Sequence, residues 1–302
     1  MRRLSGHTGI VRAVVFTRDG RLVSAGEDRT VRVWNLETGE PTTLTRATGP
    51  VYALAITPDG RTLAYAGRHP RNGDRGTPVH RWDLAAGRPT GEFELPLAQF
   101  PRSVWSLSYS HDGAILAAAA RRLGGANITA GAGGHWWGPS ADGPLADTTA
   151  FSLGFATNSA LLAVAGDGLV GFYTSPGATA NVAYPLAASR PESLTLVPNT
   201  TEVVVAAGTY LYLADGAKSS KLRKLKTGSR QLTCVAAFPD GRSIVAGGKP
   251  GLVEVFDLAV GKVQASYDFE LGGVHAVAVS PDGLTFAVAG ALGLVVCDAA
   301  DW

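Results

Sequence analysis

The sequence predicts an all-β chain assembled from repeated small sheets. Three observations carry that expectation: a phrase that returns at near-constant spacing, turn residues placed at fixed points within it, and the lack of any sustained helical period.

The phrase "VRAVVFTRDGRLVSAG" near the N-terminus has relatives along the whole chain. They are "VYALAITPDGRTLAYAG" (51–67), "VWSLSYSHDGAILAAAA" (104–120), "AFSLGFATNSALLAVAG" (150–166), "ESLTLVPNTTEVVVAAG" (192–208), "LTCVAAFPDGRSIVAGG" (232–248) and "VHAVAVSPDGLTFAVAG" (274–290). Anchored on the residue before each turn, at Phe16, Ile56, Tyr109, Phe155, Val197, Ala237 and Val279, the spacings are 40, 53, 46, 42, 40 and 42 residues. Seven units account for all 302 residues. Each opens on a short apolar, β-branched run and passes through a turn such as "PDG", "RDG" or "HDG", in which Pro, Asp and Gly each favour a tight bend. A second apolar run ends in Ala-Gly. A third often closes on an aromatic and a polar residue, as in "VRVWNLETG", "VHRWDLAAG" and "VEVFDLAVG".

Strands this apolar on both sides are buried on both faces. A flat sheet of such units would leave edges and apolar surface exposed, whereas radial packing of four-stranded sheets around an axis removes both problems. The expectation is a single β-propeller domain over residues 1–302 with seven four-stranded blades. The last unit supplies only three strands, and "MRRLSG" before the first unit reads as an outer strand that closes the ring by joining the last blade.

The Gly6-His7 pair, the "PDG" turns and the strand ends "VWN" (33–35) and "RWD" (81–83) resemble the WD-repeat β-propeller family. The resemblance covers the whole chain. It is strong in units 1 and 2, good in unit 6 and degraded in units 3, 4, 5 and 7, where "YLYLADG" and "VVCDAADW" lack the aromatic-Asp ending.

His7, Ser24 and Asp28 are the residue types of a nucleophilic triad. The resemblance implies a different role for them. Together with Trp34 they fall on the family's structural tetrad, a buried chain from carboxylate to imidazole to hydroxyl to indole that pins three strands and a loop. "LVSAG" also places Ser24 mid-strand with no GxSxG elbow. Unit 2 keeps Trp82 without the Gly-His pair. "GGHWWGPSADG" (133–143) aligns with "VWNLETG", which matches Trp137 to Trp34 and makes it a packing residue rather than half of a sugar-binding pair; Trp136 has no role in that alignment.

Bulk numbers exclude several classes. Apolar residues make up 45% and charged ones 17%, ample for a large core. The net charge of +2 does not argue for nucleic acid, and "KSSKLRKLK" (218–226) reads as a solvated strand face. Cys234 and Cys297 form no CxxC pair, so the sequence points to reduced thiols, a cytoplasmic setting and no zinc site. The six histidines form no HxH or HExxH pattern, so no metal and no cofactor is expected. There is no secretory signal and no apolar run long enough to span a membrane.

The partner-binding residues follow from the loops and from the resemblance. "RHPRNGDRGTP" (68–78) and "RRLGGANITAGAGG" (121–134) are long insertions between the second and third strands of units 2 and 3, and they bring Arg68, Arg71, Arg75, Arg121 and Arg122 to adjacent blades. In the family, the second residue of each innermost strand lies near the channel mouth on that face. Here those residues are Arg12, Tyr52, Trp105, Phe151, Ser193, Thr233 and His275. Aromatic residues and Arg anchor interfaces. The expectation is a monomeric, non-enzymatic scaffold that binds a peptide or protein carrying an acidic or phosphorylated element. A propeller enzyme of lactonase or quinoprotein type is disfavoured, because that ring holds one His and no carboxylate. A nucleic-acid-binding propeller rests only on the Arg loops and the Lys run.

Overall fold

The computed structural model describes residues 1–68, 77–95, 102–122, 133–145, 150–157, 159–166, 168–175, 178–186, 190–217 and 222–299, without the side chains of Arg102 and Arg122. Among them are 28 β-strands and no helix. The strands form seven antiparallel sheets of four. Blade 1 runs outward through β2 (Val11–Phe16), β3 (Leu22–Gly26), β4 (Thr30–Trp34) and β5 (Pro41–Arg46). The innermost strands of the next five blades are β6 (Val51–Ile56), β10 (Arg102–Tyr109), β14 (Ser152–Phe155), β18 (Pro191–Leu196) and β22 (Gln231–Ala237). Blade 7 is β26 (Val274–Val279), β27 (Thr285–Gly290), β28 (Gly293–Asp298) and, outermost, β1 (Arg2–Leu4).

The ring therefore closes through the N-terminal strand. Arg2, Arg3 and Leu4 pair with Val296, Val295 and Leu294. Leu4 is buried in the seam between blades 7 and 1, among Val11, Leu22, Trp34 and Ala287. Arg2 reaches across that seam and donates to the carbonyls of Leu36, Glu37 and Thr38 in a turn of blade 1, the last at 2.7 Å.

Each of the seven seams between blades is filled by its own apolar cluster. This is why both faces of most strands are apolar, and why the hydrophobic pattern reads as runs rather than alternation. The turns after the innermost strands are also explained by local chemistry. In blades 2, 3 and 7 a hydroxyl donates to the Asp of the turn at 2.5 Å (Thr57 to Asp59, Ser110 to Asp112, Ser280 to Asp282), and the same Asp oxygen accepts a backbone N–H two residues on. These bonds, the hydroxyl first, hold the three carboxyls below the usual carboxylate range. The following Gly60, Gly113 and Gly283 take φ of 75°, 72° and 72°, open to glycine at no steric cost. The Ala-Gly ending has a separate cause. A Cβ on Gly67 would press on the Pro50 carbonyl and lie 2.7 Å from Val51 Cα.

Candidate functional site

The His-Ser-Asp group of blade 1 is a closed chain. His7 Nδ1 lies 2.8 Å from Asp28 Oδ2 and His7 Nε2 lies 2.7 Å from Ser24 Oγ, while Trp34 Nε1 donates to Ser24 Oγ at 2.7 Å. Asp28 also accepts from the Thr30 amide and hydroxyl. With Nδ1–H donating to Asp28, Nε2 accepts the Ser24 hydroxyl proton and the imidazole is neutral. Burial moves the His7 pKa downward, with the Asp28 charge opposing it. Ser24 is 0% exposed, with its oxygen between the imidazole and the indole, so no substrate atom can reach it. In blade 2, Tyr65 pairs opposite Leu54 as Ser24 does opposite Val14, and the Trp82 indole is left buried without an acceptor. In blade 3, Trp137 pairs with Leu116 as Trp34 does with Leu22, is buried, and stacks on Phe93 of blade 2 with centroids 5.2 Å apart. Trp136 packs on the opposite seam, against the blade 3–4 cluster.

The channel mouth is built by a repeated irregularity. In six blades the innermost strand bulges by one residue, which drops out of the ladder: Arg12, Tyr52, Trp105, Glu192, Thr233 and His275. A bulge bends the strand and re-aims its extra side chain. All six line one cavity of about 470 Å³ that touches the innermost strands of all seven blades.

Two polar groups and one aromatic stack organise this mouth. Arg12 donates to Glu27 at 2.6 and 3.0 Å and to His275 Nδ1 at 3.0 Å, joining blades 1 and 7. Burial first, then the Arg12 and Lys249 charges, push His275 down to about 4. Arg121 donates to Glu192 at 3.2 Å and to the Phe151 carbonyl at 3.2 Å, and its guanidinium carbon lies 5.2 and 4.9 Å from the Trp105 and Phe151 ring centroids. Tyr52 stacks on Trp105 at 4.5 Å and 23°, with the Arg68 charge near its hydroxyl. Arg190 faces Glu192 at 3.6 Å and the Phe151 ring at 4.8 Å. Trp105 Nε1 and Arg121 Nε are buried with no hydrogen-bond partner.

The structure brings Arg12, Tyr52, Arg68, Trp105, Arg121 and His275 together around the mouth. It corrects three details of the sequence reading. Phe151 is 3% exposed beneath Arg121 and Arg190 and does not line the cavity, so it supports the site from below. Arg121 and Arg122 belong to β11 (Leu116–Arg122) rather than to a loop, and Arg121 is 8% exposed. In blade 5 the bulged residue is Glu192, not Ser193, because Leu196 and not Val197 is the counterpart of Phe16. The mouth thus contains a carboxylate, with Glu27 a second one against Arg12. Arg71 and Arg75 lie outside the described residues. Sequence reasoning also missed Glu27, Lys249 and Arg190, whose positions at strand ends carry no motif. Among the described residues, no three His, Cys, Asp or Glu side chains are grouped to hold a metal ion, and no helix is long and apolar enough to cross a membrane. Cys234 and Cys297 are buried and form no disulfide among the described residues.

Residues 1–35 match the family model described as WD domain, G-beta repeat. Over 63 residues, 20% of this chain, the sequence is 40% identical to guanine nucleotide-binding protein subunit beta-1 of Caenorhabditis briggsae, a match that spans 18% of that relative's length. In three dimensions the chain is similar to the WD40 β-propeller domain of Doa1, with a TM-score of 0.78 and 16% identity over 98% of this chain and 94% of that one. It is also similar to a chain of the mitotic checkpoint complex, with a TM-score of 0.80 and 16% identity over 98% and 92% of the two chains. The first blade thus matches the WD domain, G-beta repeat model, and the whole chain has the fold of a seven-bladed β-propeller.

Proposed function

We propose that the protein is a non-enzymatic interaction scaffold, one that receives an acidic segment of a protein partner across the channel mouth, over blades 2 to 5. The observation that carries this reading is the stacked Tyr52–Trp105 pair at the rim of an open cavity whose surrounding cations outnumber its carboxylates. Arg12, Arg68, Arg121, Arg190 and Lys249 stand against Glu27 and Glu192. Aromatic rings and Arg on a rigid frame are what interface anchors require, and an excess of positive charge favours and steers an acidic partner. The names of similar proteins, a G-protein subunit and a chain of a checkpoint complex, support a role in assemblies. The sealed Ser24 removes the triad as a reason to expect hydrolysis. The scaffold acts as a monomer in the cytoplasm on this reading.

The test is affinity capture from cell extract with wild type, Trp105→Ala and Arg68→Glu, each verified as folded by its melting curve. Partners recovered by wild type and lost from both variants support the placement. The same partners from all three place the site elsewhere, and recovery of nucleic acid with a steep salt dependence replaces the protein partner with a polyanion.

A further inference from the structure

We propose that the blade 3 side of the mouth is a carboxylate subsite, in which an aspartate or glutamate side chain of the partner is received by the Trp105 indole N–H and the Arg121 Nε–H. The proposal rests on the mouth being the partner site and names the chemistry taken there.

Three observations converge. The first is the pair of unused donors. Arg121 is 8% exposed and two of its nitrogens are spent on Glu192 and the Phe151 carbonyl, while Nε has no partner; the neighbouring Trp105 Nε1 has none either. A buried donor left unmade is costly, so two such groups on residues that line one cavity favour an occupant that brings acceptors. Both groups are donors only, which asks for acceptor oxygens and excludes a cationic amine. The second is charge. Arg121 and Arg190 face the single carboxylate of Glu192, a local excess of one positive charge. One carboxylate balances it. A phosphate dianion would exceed it beside Glu192. The third is preorganisation. The guanidinium is held between the Trp105 and Phe151 rings at 5.2 and 4.9 Å, so little side-chain freedom remains to be lost on binding. Both N–H groups are covered in the unliganded arrangement. Tyr52 stacks on the Trp105 face and both residues are half-buried, so a small shift of this stacked pair exposes the indole N–H to the ligand.

The experiment uses the full chain and fluorescein-labelled, end-capped peptides: glycine peptides bearing glutamate, and otherwise identical ones bearing glutamine or phosphoserine. Anisotropy reads affinity, and ¹⁵N-tryptophan labelling reads the indole N–H signals, with Trp105 assigned by its loss in W105F. The expected result is that the glutamate peptide binds at least about tenfold more tightly than the glutamine one and shifts the Trp105 signal. W105F, which keeps a ring and deletes only the N–H, should remove most of that preference. R121K, which keeps the charge toward Glu192 and deletes Nε, should do the same. Equal binding of the glutamine peptide overturns the proposal, as does tighter binding of phosphoserine, an unchanged preference in W105F, or an unmoved Trp105 signal up to the solubility limit of the peptide. If these arms fail while Trp105→Ala still loses the captured partner, the docking site stands and its carboxylate chemistry falls. If Trp105→Ala and Arg68→Glu also retain the partner, the site itself is wrong.

Discussion

The Trp34 indole N–H donates to Ser24 Oγ at 2.7 Å, and on its other side the same oxygen meets His7 Nε2 at 2.7 Å. A hydroxyl engaged from both sides inside a seam is a structural joint. Asp28→Ala leaves the His7 N–H and the Thr30 hydroxyl without their acceptor, and Ser24→Ala does the same to the indole. Each should lower stability by about 1–3 kcal/mol, read as a drop in the urea midpoint at unchanged slope. A loss within error for both would show that the joint carries no weight.

Closure of the ring depends on three residues of backbone pairing and on the Arg2 reach into blade 1. Deleting residues 1–6 exposes the edge of β28 and uncovers the seam that Leu4 fills. The expected outcome is a melting temperature several degrees lower, or aggregation on heating. Arg2→Ala should give a smaller shift in the same direction, because it removes the donors to the blade 1 turn and leaves the β1–β28 ladder in place.

Gly67→Ala tests the Ala-Gly ending of the second strand. Its Cβ would collide with backbone atoms of Pro50 and Val51, which cannot swing aside as a side chain can. The expected cost is about 2 kcal/mol or more. Gly87→Ala, also glycine but with open space around its Cβ position and a φ of 63°, carries only conformational strain, and it should cost less.

His275 makes the mouth sensitive to acid. In the unfolded chain it takes up its proton near its ordinary 6.5; in the folded ring, burial and the facing Arg12 and Lys249 delay this until about 4, with Glu27 opposing. Between those values the unfolded state binds the extra proton. The stability contributed is therefore full above about 6.5 and is lost as pH falls toward about 4. His7, shifted in the same direction, adds to the slope. Histidine ring-proton NMR should show the His275 midpoint near 4, and His275→Gln should flatten the fall of melting temperature with acid. A midpoint near 6.5 would mean that His275 is neither buried nor faced by Arg12 and Lys249 as the structure has it.

The fold was legible because each blade repeats the same physical problem. Two buried faces require apolar runs, and the tight reversals of blades 2, 3 and 7 share a hydroxyl, an Asp and a Gly, so period and turn chemistry agree. The tetrad residues of blade 1 were legible through the resemblance to the WD-repeat family. Of the residues that line the mouth, the sequence placed Arg12, Tyr52, Trp105, Thr233 and His275, and lost the blade 5 position to a register error. Aligning blade 5 on Val197 put Glu192 at a position that Val11, Val51, Val104, Leu232 and Val274 fill in other blades, all of them buried. A carboxylate among buried aliphatics was the signal that the unit should move by one residue, which places Pro191 there and Glu192 in the channel. Glu27 and Arg190 gave no such signal. Their roles come from which strand ends meet across the channel, and the order of residues along one strand does not encode that.

Because residues 2–4 lie beside residues 294–296 on one blade, the order of the chain is separable from the architecture. Joining the end of β28 to the start of β1 through a short flexible linker and opening the chain instead at an exposed turn between strands would leave every sheet with its four strands and every seam with its apolar filling. Blade 7 takes its fourth strand from residues 2–4 and its other three from residues 274–298. That blade alone is assembled from sequence-distant parts, and its edge is where thermal opening of the ring should begin.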